Sequence, residues 1–343
     1  MTVSIIIKAW NEERHIARAI TSALAALERH KGEVIVADCG STDGTVDVAA
    51  RFPVKVVQLA DPAERSCGVS PQLGYQYSSG DYICLIDGDM VLHPGFVDDA
   101  IAFLEGNPEA AGVGGLIVER NVDNLEFARR VRTLSADLRP GRVDRLNGGG
   151  VFRRAAIESA GYFSDRNLHA YEEFDLAARL TKAGWSLYRL QRDAVDHFGH
   201  TANGYLLLWR RLTSGYAFGI GEVLRASLTG GRLVAALRGL RELRIWGAVL
   251  GWWFLIVVSL LALPGWWRLG ALALAAAPFI GMSLRYRSLS LGVYAVVAWQ
   301  AHTLGLLIGL CRPRRDPAAW IESRVVSAPA APAASPSVMR EAS

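Results

Sequence analysis

A chain of 343 residues has room for one large domain or two modest ones, and here 51% hydrophobic residues are unevenly spread along it. A net charge of +4, with no basic stripe interleaved with aromatics in the charged N-terminal two thirds, argues against nucleic acid as a partner. The four cysteines (Cys39, Cys67, Cys84, Cys311) lack Cys-x-x-Cys spacing, so reduced structural thiols are expected rather than zinc or disulfides.

The β-branched run Val3–Ala9 predicts a buried strand, and Ile16, Ile20, Leu24 and Leu27 give Glu12–His30 helical spacing. Val34–Ala37 is a second strand ending at Asp38. Thr42-Asp43-Gly44 opens a helix to about Phe52, and Val54–Leu59 is a third strand. A helix around Gln72–Ser79 precedes the strand Tyr82–Ile86, which delivers Asp87-Gly88-Asp89. Strands alternating with helices predict an α/β fold with a mostly parallel sheet, Rossmann-like, whose ligands sit at the carboxyl ends of the strands. Asn11, Asp38 and Asp87 all fall there. No signal peptide precedes the first strand, so this domain is expected in the cytosol.

The pattern continues with a helix over Pro94–Phe103, a strand over Gly112–Glu119 and an Arg-rich helix over Asn124–Ser135. Asn147-Gly148-Gly149-Gly150 leads into a strand or turn at Val151-Phe152 and the helix Arg154–Ser159. A helix over Tyr171–Ala183 and a strand over Ser186–Leu190 follow. Asn203–Leu228 reads as a helical pair interrupted near Gly215 and Gly219. Its mix of Leu206, Leu207, Trp209 and Leu212 with Arg210 and Arg211 suits either a membrane surface or docking onto the domain.

Three apolar runs then stand out: Trp246–Leu263, Leu269–Leu284 and Leu289–Leu310. A membrane span needs about 20 apolar residues, with about 17–25 tolerated, so the third qualifies clearly and the second is short. Arg232, Arg238, Arg241 and Arg244 place the flank before the first run on the cytoplasmic side. Three full spans would put Arg312, Arg314 and Arg315 outside, against that tendency; two spans plus an interfacial segment would keep them in, and both arrangements stay open. The chain thus divides into 1–200 (catalytic), 201–244 (amphipathic), 245–312 (membrane) and 313–343, a tail expected to lack order after about 327.

The carboxylates of Asp87 and Asp89, two apart on a strand, point the same way and repel unless a cation joins them; hard oxygen ligands suit Mg2+ or Mn2+. A chance turn would use the same residues. What decides is company. Ile5-Ile6-Ile7-Lys8-Ala9-Trp10-Asn11-Glu12-Glu13, Asp38-Cys39-Gly40-Ser41-Thr42-Asp43-Gly44, Asp87-Gly88-Asp89 and Tyr171-Glu172-Glu173-Phe174-Asp175-Leu176 together resemble the family 2 glycosyltransferases of the GT-A fold, over roughly residues 3–200.

The resemblance implies a GT-A nucleotide-sugar domain followed by transmembrane helices. It implies Asp38 at the nucleobase or ribose, with Trp10, Asn11, Glu12, Arg65 and Asp87 as further donor contacts. The alternative for Asp38 is an N-cap or Asx-turn for its loop, with nucleotide contact the favoured role. Asp87, Asp89 and His197 would hold Mn2+ or Mg2+, with His200 the competing histidine. Glu173 would be the catalytic base, with Glu172 and Asp175 as backups, although acids in a first helical turn also suit the helix dipole. Asn147, Gly148 and Gly149 would approach the acceptor.

Two departures are visible: Lys8 replaces a frequent proline, and Pro71-Gln72-Leu73-Gly74 stands where the family often has Arg-Asn-x-Gly. No Gln-x-x-Arg-Trp follows the acidic helix, so addition of a single sugar is expected. The implied partners are a nucleotide-sugar donor, a lipid-linked saccharide acceptor, the inner membrane and, by extension, polysaccharide-assembly proteins. A polyprenyl-phosphate sugar synthase and a non-catalytic nucleotide-sugar sensor or scaffold are the alternatives.

Overall fold

The structure is a computed structural model describing residues 1–120, 139–199 and 204–329. The Arg-rich helix expected over Asn124–Ser135, His200 and the tail beyond residue 329 lie outside the described residues.

Strands β1 (Thr2–Ala9), β2 (Lys31–Asp38), β3 (Lys55–Leu59) and β4 (Tyr82–Asp87) lie side by side in parallel, in the order β3-β2-β1-β4. Ile5, Ile6 and Ile7 are all fully buried. Alternation along the strand sends Ile5 and Ile7 into a core with Ile16, Ile20 and Val36, and Ile6 into another with Ile35, Leu73 and Ile83. A sheet covered on both faces explains the unbroken apolar run. Helices α1 (Ile16–Ala26) and α3 (Val69–Gln76) supply the two covers, while α2 (Thr45–Ala49) packs on α1. Helix α1 begins later than its periodicity suggests, leaving Asn11–His15 as a turn at the strand end.

The remaining half is mixed. β5 (Met90–Leu92) follows the acid pair, α4 (Phe96–Gly106) leads to β6 (Ala110–Glu119), and β7 (Gly141–Val143), β8 (Gly150–Arg153), α5 (Arg154–Ser159), α6 (Glu172–Lys182) and β9 (Ser186–His197) complete the domain. β8 enters antiparallel between β4 and β6, and β9 runs parallel to β6 but antiparallel to β5 and β7. The sheet is therefore parallel through β3-β2-β1-β4 and largely antiparallel beyond, less parallel than its alternating elements suggest. β9 is also longer than expected. Its last residue, His197, pairs opposite both Met90 and Glu119, and this register builds one side of the site.

After α7 (Gly204–Thr213), a short turn Tyr216–Phe218, α8 (Gly219–Thr229) and α9 (Leu233–Gly239) come three apolar helices. These are α10 (Glu242–Ala262), α11 (Leu269–Tyr286) and α12 (Leu289–Cys311), of 21, 18 and 23 residues, each long and apolar enough to cross a membrane. Leu261, Leu272, Ile280, Leu284 and Leu289 are among their exposed side chains, an all-round apolar surface that suits lipid. Both ends of this unit are rooted in the α/β domain. Trp246 and Leu306 join Leu168, Phe174 and Ile220 in one buried cluster. Gly305 and Gly309 bring the α12 backbone against Ala217 and Phe218, where a Cβ would lie 2.2 Å from each carbonyl oxygen.

The chain then returns. β10 (Ser323–Ser327), a strand the sequence reading did not contain, pairs antiparallel with β3 at the sheet edge.

Candidate active site

The carboxyl ends of β1, β2 and β4 present their loops on one edge. Asn11 has φ of 57°, a left-handed turn residue, and its Oδ1 accepts from Thr42 N at 2.8 Å. This locks the Asn11 turn onto the loop after β2. Asp38 is fully buried: Oδ2 accepts from Gly40 N and Ser41 N at 3.0 Å each and from Gln58 Nε2 at 2.8 Å, while Oδ1 accepts from Ser41 Oγ. These are the bonds of a loop organiser, the Asx-turn alternative of the sequence reading. Trp10 and Arg65 meet across this edge, the guanidinium carbon 4.0 Å from the ring centroid. Trp10 is 44% exposed and forms an open wall suited to a planar base.

Lys8 and Asp87 are cross-strand neighbours, and Lys8 Nζ lies 2.6 Å from Asp87 Oδ1. Burial alone would pull the Lys8 pKa down. The Asp87, Glu172 and Glu173 carboxylates outweigh it and hold the ammonium charged well above its ordinary range. Lys8, noted in the sequence only as a replaced proline, is thus the cation at the centre of the acid cluster.

Asp89, 6% exposed, faces His197 Nε2 at 3.3 Å, and His197 Nδ1 meets Glu119 Oε2 at 2.6 Å. Burial lowers the imidazole pKa, but hydrogen bonds to Asp89 and Glu119 more than reverse this and hold it up at about 10. Glu119 was missed because its pairing with His197 depends on sheet register. Glu12 lies beneath Gly88, where a Cβ would fall 2.9 Å from its Cγ. Burial, then Asp89 and Asp87, push the Glu12 carboxyl up to about 8.

This donor set of carboxylates with one imidazole fits Mn2+ or Mg2+. Glu119 holds Nδ1, so Nε2 is the nitrogen turned to Asp89. Among the described residues no group of three or more His, Cys, Asp or Glu could itself hold a metal ion. That suits a cation bound by one or two protein groups and completed by substrate phosphates.

Glu172 and Glu173 open α6 behind Tyr171, itself left-handed at φ 66°, and together line a small cavity with Leu85, Gly149, Phe163 and Leu176. Glu173 Oε1 accepts from Gly148 N at 2.9 Å. Burial first, and the Glu172 charge second, raise the Glu173 pKa, while Lys8 and the Gly148 N–H pull it back. Gly148 and Gly149 have φ of 73° and 94°, and a Cβ on Gly149 would sit 2.0 Å from Leu85 O. The glycines carry the backbone across β4 and aim a donor at Glu173; Asn147 precedes them beside Ile86 and Gly115.

Asp175 is not part of this cavity. Its side chain is fully buried in ion pairs with Arg179 (2.8 Å) and Arg232 (2.7 Å). Two residues along a helix is a turn of about 200°, so Glu173 and Asp175 face opposite ways, and the i,i+4 pair with Arg179 was readable in the sequence.

The profile of Glycosyl transferase family 2 matches residues 4–161. Putative glycosyltransferase EpsE of Bacillus subtilis is 29% identical over 201 residues, 55% of this chain and 70% of its own length. N-acetylglucosaminyl-diphospho-decaprenol L-rhamnosyltransferase of Mycobacterium tuberculosis is 27% identical over 225 residues, 54% of this chain and 73% of its own. The solved mannosyltransferase PcManGT from Pyrobaculum calidifontis, in complex with GDP-Man and Mn2+, shares the fold with a TM-score of 0.57 at 18% identity, over 89% of this chain and 86% of that one. With a GT-A-like sheet carrying these motifs at its carboxyl edge, residues 4–161 form a glycosyl transferase family 2 domain, and the protein is a glycosyltransferase that uses a nucleotide-sugar donor.

Proposed function

We propose that this enzyme is an inverting, metal-dependent glycosyltransferase. It moves one sugar from its donor onto a membrane-held, polyprenyl-diphosphate-linked glycan or glycolipid at the cytoplasmic face of the inner membrane. The observation that carries the reading is Glu173, held by Gly148 N–H at 2.9 Å in a cavity between the acid-pair strand and α6. In a single displacement the Glu173 carboxylate takes the acceptor's hydroxyl proton. The oxygen forms its bond to the anomeric carbon as the bond to the nucleoside diphosphate breaks on the opposite face, which inverts the centre. Burial and Glu172 make Glu173 more basic than an ordinary carboxylate, and Lys8 keeps it ionised in part of the neutral range.

Trp10, Arg65 and the loop organised by Asp38 and Asn11 form the donor pocket. Asp89 and His197, with Asp87 beside them, would hold the Mn2+ or Mg2+ ion, which supplies Lewis-acid neutralisation of the departing diphosphate. Asp87 also stays tied to Lys8 and orients it beneath Glu172 and Glu173. The decaprenol-linked acceptor in the name of the mycobacterial relative supports a lipid-linked acceptor here.

Connectivity supports two complete crossings. β3 and β10 belong to one sheet, so the chain leaves and re-enters the membrane on the same side. α11 and α12 form a tight hairpin about Arg287-Ser288, with a Cβ on Gly292 falling 2.4 Å from Ser283 N. Trp252 Nε1 reaches Leu274 O, and Trp253 Nε1 reaches Gln300 Oε1, so α10 lies across this hairpin near its middle. The pairing of β10 with β3 calls for an even number of complete crossings, so one of the three apolar helices is interfacial or re-entrant. This keeps Arg312, Arg314 and Arg315 on the catalytic side, in line with the positive-inside tendency.

Purified protein screened against UDP-, GDP- and dTDP-sugars with Mn2+ and lipid acceptor should release nucleotide with one donor class. Glu173→Gln should lose at least about 100-fold in turnover and keep donor binding; undiminished turnover removes Glu173 from the mechanism. Turnover with undecaprenyl phosphate alone would reassign the enzyme to the sugar-phosphate synthases. A cysteine placed at Ser327 should label from the cytoplasmic side, and labelling from outside refutes the two-crossing arrangement.

A further inference from the structure

We propose that the C-terminal strand β10 is a working part of the donor site, with Arg324 as a positioning residue acting on the nucleotide loop through Gln58 and Asp38. The proposal rests on the reading above that the loop after β2 forms the donor pocket.

Arg324 stands directly opposite Gln58 in the β10–β3 register. Its Nε donates to Gln58 Oε1 at 2.9 Å, and its Nη2 donates to the same oxygen. Gln58, 8% exposed, donates from Nε2 to Asp38 Oδ2 at 2.8 Å. An amide is nearly symmetric in shape and can sit either way round. Here it lies between a guanidinium, which only donates, and a carboxylate, which only accepts, so one orientation satisfies both ends. Without Arg324 that preference is lost at the outer end.

Asp38 passes the constraint on. The oxygen that receives Gln58 also receives Gly40 N and Ser41 N, and the other receives Ser41 Oγ. Ser41 Oγ in turn accepts from Asn11 N at 2.8 Å, tying both loops of the donor edge to one carboxylate. Gly40 takes φ of 79°, and a Cβ there would lie 3.1 Å from the Pro62 ring, so the loop has little slack of its own.

β10 is firmly seated. Ile321 is fully buried and exchanges two hydrogen bonds with the Gln76 amide, at 2.9 and 3.0 Å. Trp320 packs on Tyr77 with ring centroids 5.3 Å apart, and Ala60 N donates to Glu322 O at 3.0 Å. Nearer the membrane, Arg314 pairs with Asp165 and Arg315 with Glu64. The segment leaving α12 therefore runs as an anchored strap from the membrane to the donor loop.

The test uses the full chain in detergent, titrated calorimetrically with UDP, GDP and dTDP in MnCl2, and steady-state kinetics with the donor sugar of whichever nucleotide binds. Arg324→Ala should weaken nucleotide binding and raise donor KM about threefold to tenfold, with kcat changed less than twofold. Arg324→Lys should recover part of the loss. Gln58→Met should match Arg324→Ala, and the double variant should lose no more than the worse single, as expected for one relay. Val325→Ala, on the same strand and away from Gln58, should bind as the unaltered protein.

Three results overturn the relay: Arg324→Ala binding normally, a fall in kcat with KM unchanged, or additive losses in the double variant. Should Arg324→Ala fail to fold, Gln58→Met decides alone through the same split of KM from kcat. Asp38→Asn separates the two levels of the argument. Unchanged binding in that variant, or no binding of any nucleotide to the unaltered protein, overturns the donor-site reading of this loop. Weakened binding in Asp38→Asn with normal binding in both Arg324→Ala and Gln58→Met overturns the relay alone.

Discussion

Replacing Lys8 with methionine keeps most of the side-chain volume and removes a cation from the acid cluster of Asp87, Glu172 and Glu173. At 2.6 Å from Asp87 Oδ1 the gross attraction is about 6 kcal/mol at an effective dielectric of about 20, and about 1.6 kcal/mol in water. The side chains are 18% and 33% exposed, so the pair lies between these limits, and the cost of burying Lys8 offsets part of the gain. A net loss of about 1–3 kcal/mol of stability is expected. The more telling consequence is at Glu173. Burial and Glu172 raise its pKa and Lys8 opposes them, so removing Lys8 raises it further. As the proposed base Glu173 must be ionised, so activity should be lost as pH falls through its pKa. The acid limb of the kcat profile should therefore move to higher pH by about half to one unit, which corresponds to about 0.7–1.4 kcal/mol. Turnover followed by nucleotide release between pH 5 and 9 (roughly, the range bracketing a raised carboxylate pKa) checks this. A limb that stays in place or moves to lower pH refutes the electrostatic role of Lys8, even where stability falls as expected.

Gly149→Ala places a methyl group about on top of the Leu85 carbonyl, at a φ of 94°; thermal denaturation should show a loss of about 3 kcal/mol or more, or no folded protein. Asp175→Ala leaves Arg179 and Arg232 without their buried carboxylate and should cost about 3 kcal/mol by denaturation. Donor affinity at low temperature should be little changed in that variant, because Asp175 does not line the cavity. His197→Ala should weaken Mn2+ binding by at least about tenfold in a titration with nucleotide present. Glu119→Gln should weaken it less, since that change loosens only the hydrogen bond at Nδ1.

Periodicity and punctuation, which act within a few residues, were enough to place the β1-β2-β3-β4 frame, the three apolar helices and the strand-end positions of Asn11, Asp38 and Asp87. Glu172 and Glu173 at the start of a helix were legible for the same reason. Four things required the tertiary structure, because each depends on pairing between distant segments. Lys8 becomes the partner of Asp87 only through the β1–β4 register, and Glu119 the partner of His197 only through β6–β9. Asp38 read first as a nucleotide contact and second as a loop-former, and burial with four hydrogen bonds shows it organising the loop. The five residues of β10 carry no local signal of a partner some 260 positions earlier. Where the apolar helices cross a membrane as proposed, that pairing keeps the tail on the side of the sheet, since a strand hydrogen-bonded into a sheet must share its compartment. Local chemistry is written in neighbouring residues, whereas register and sidedness are properties of the closed sheet.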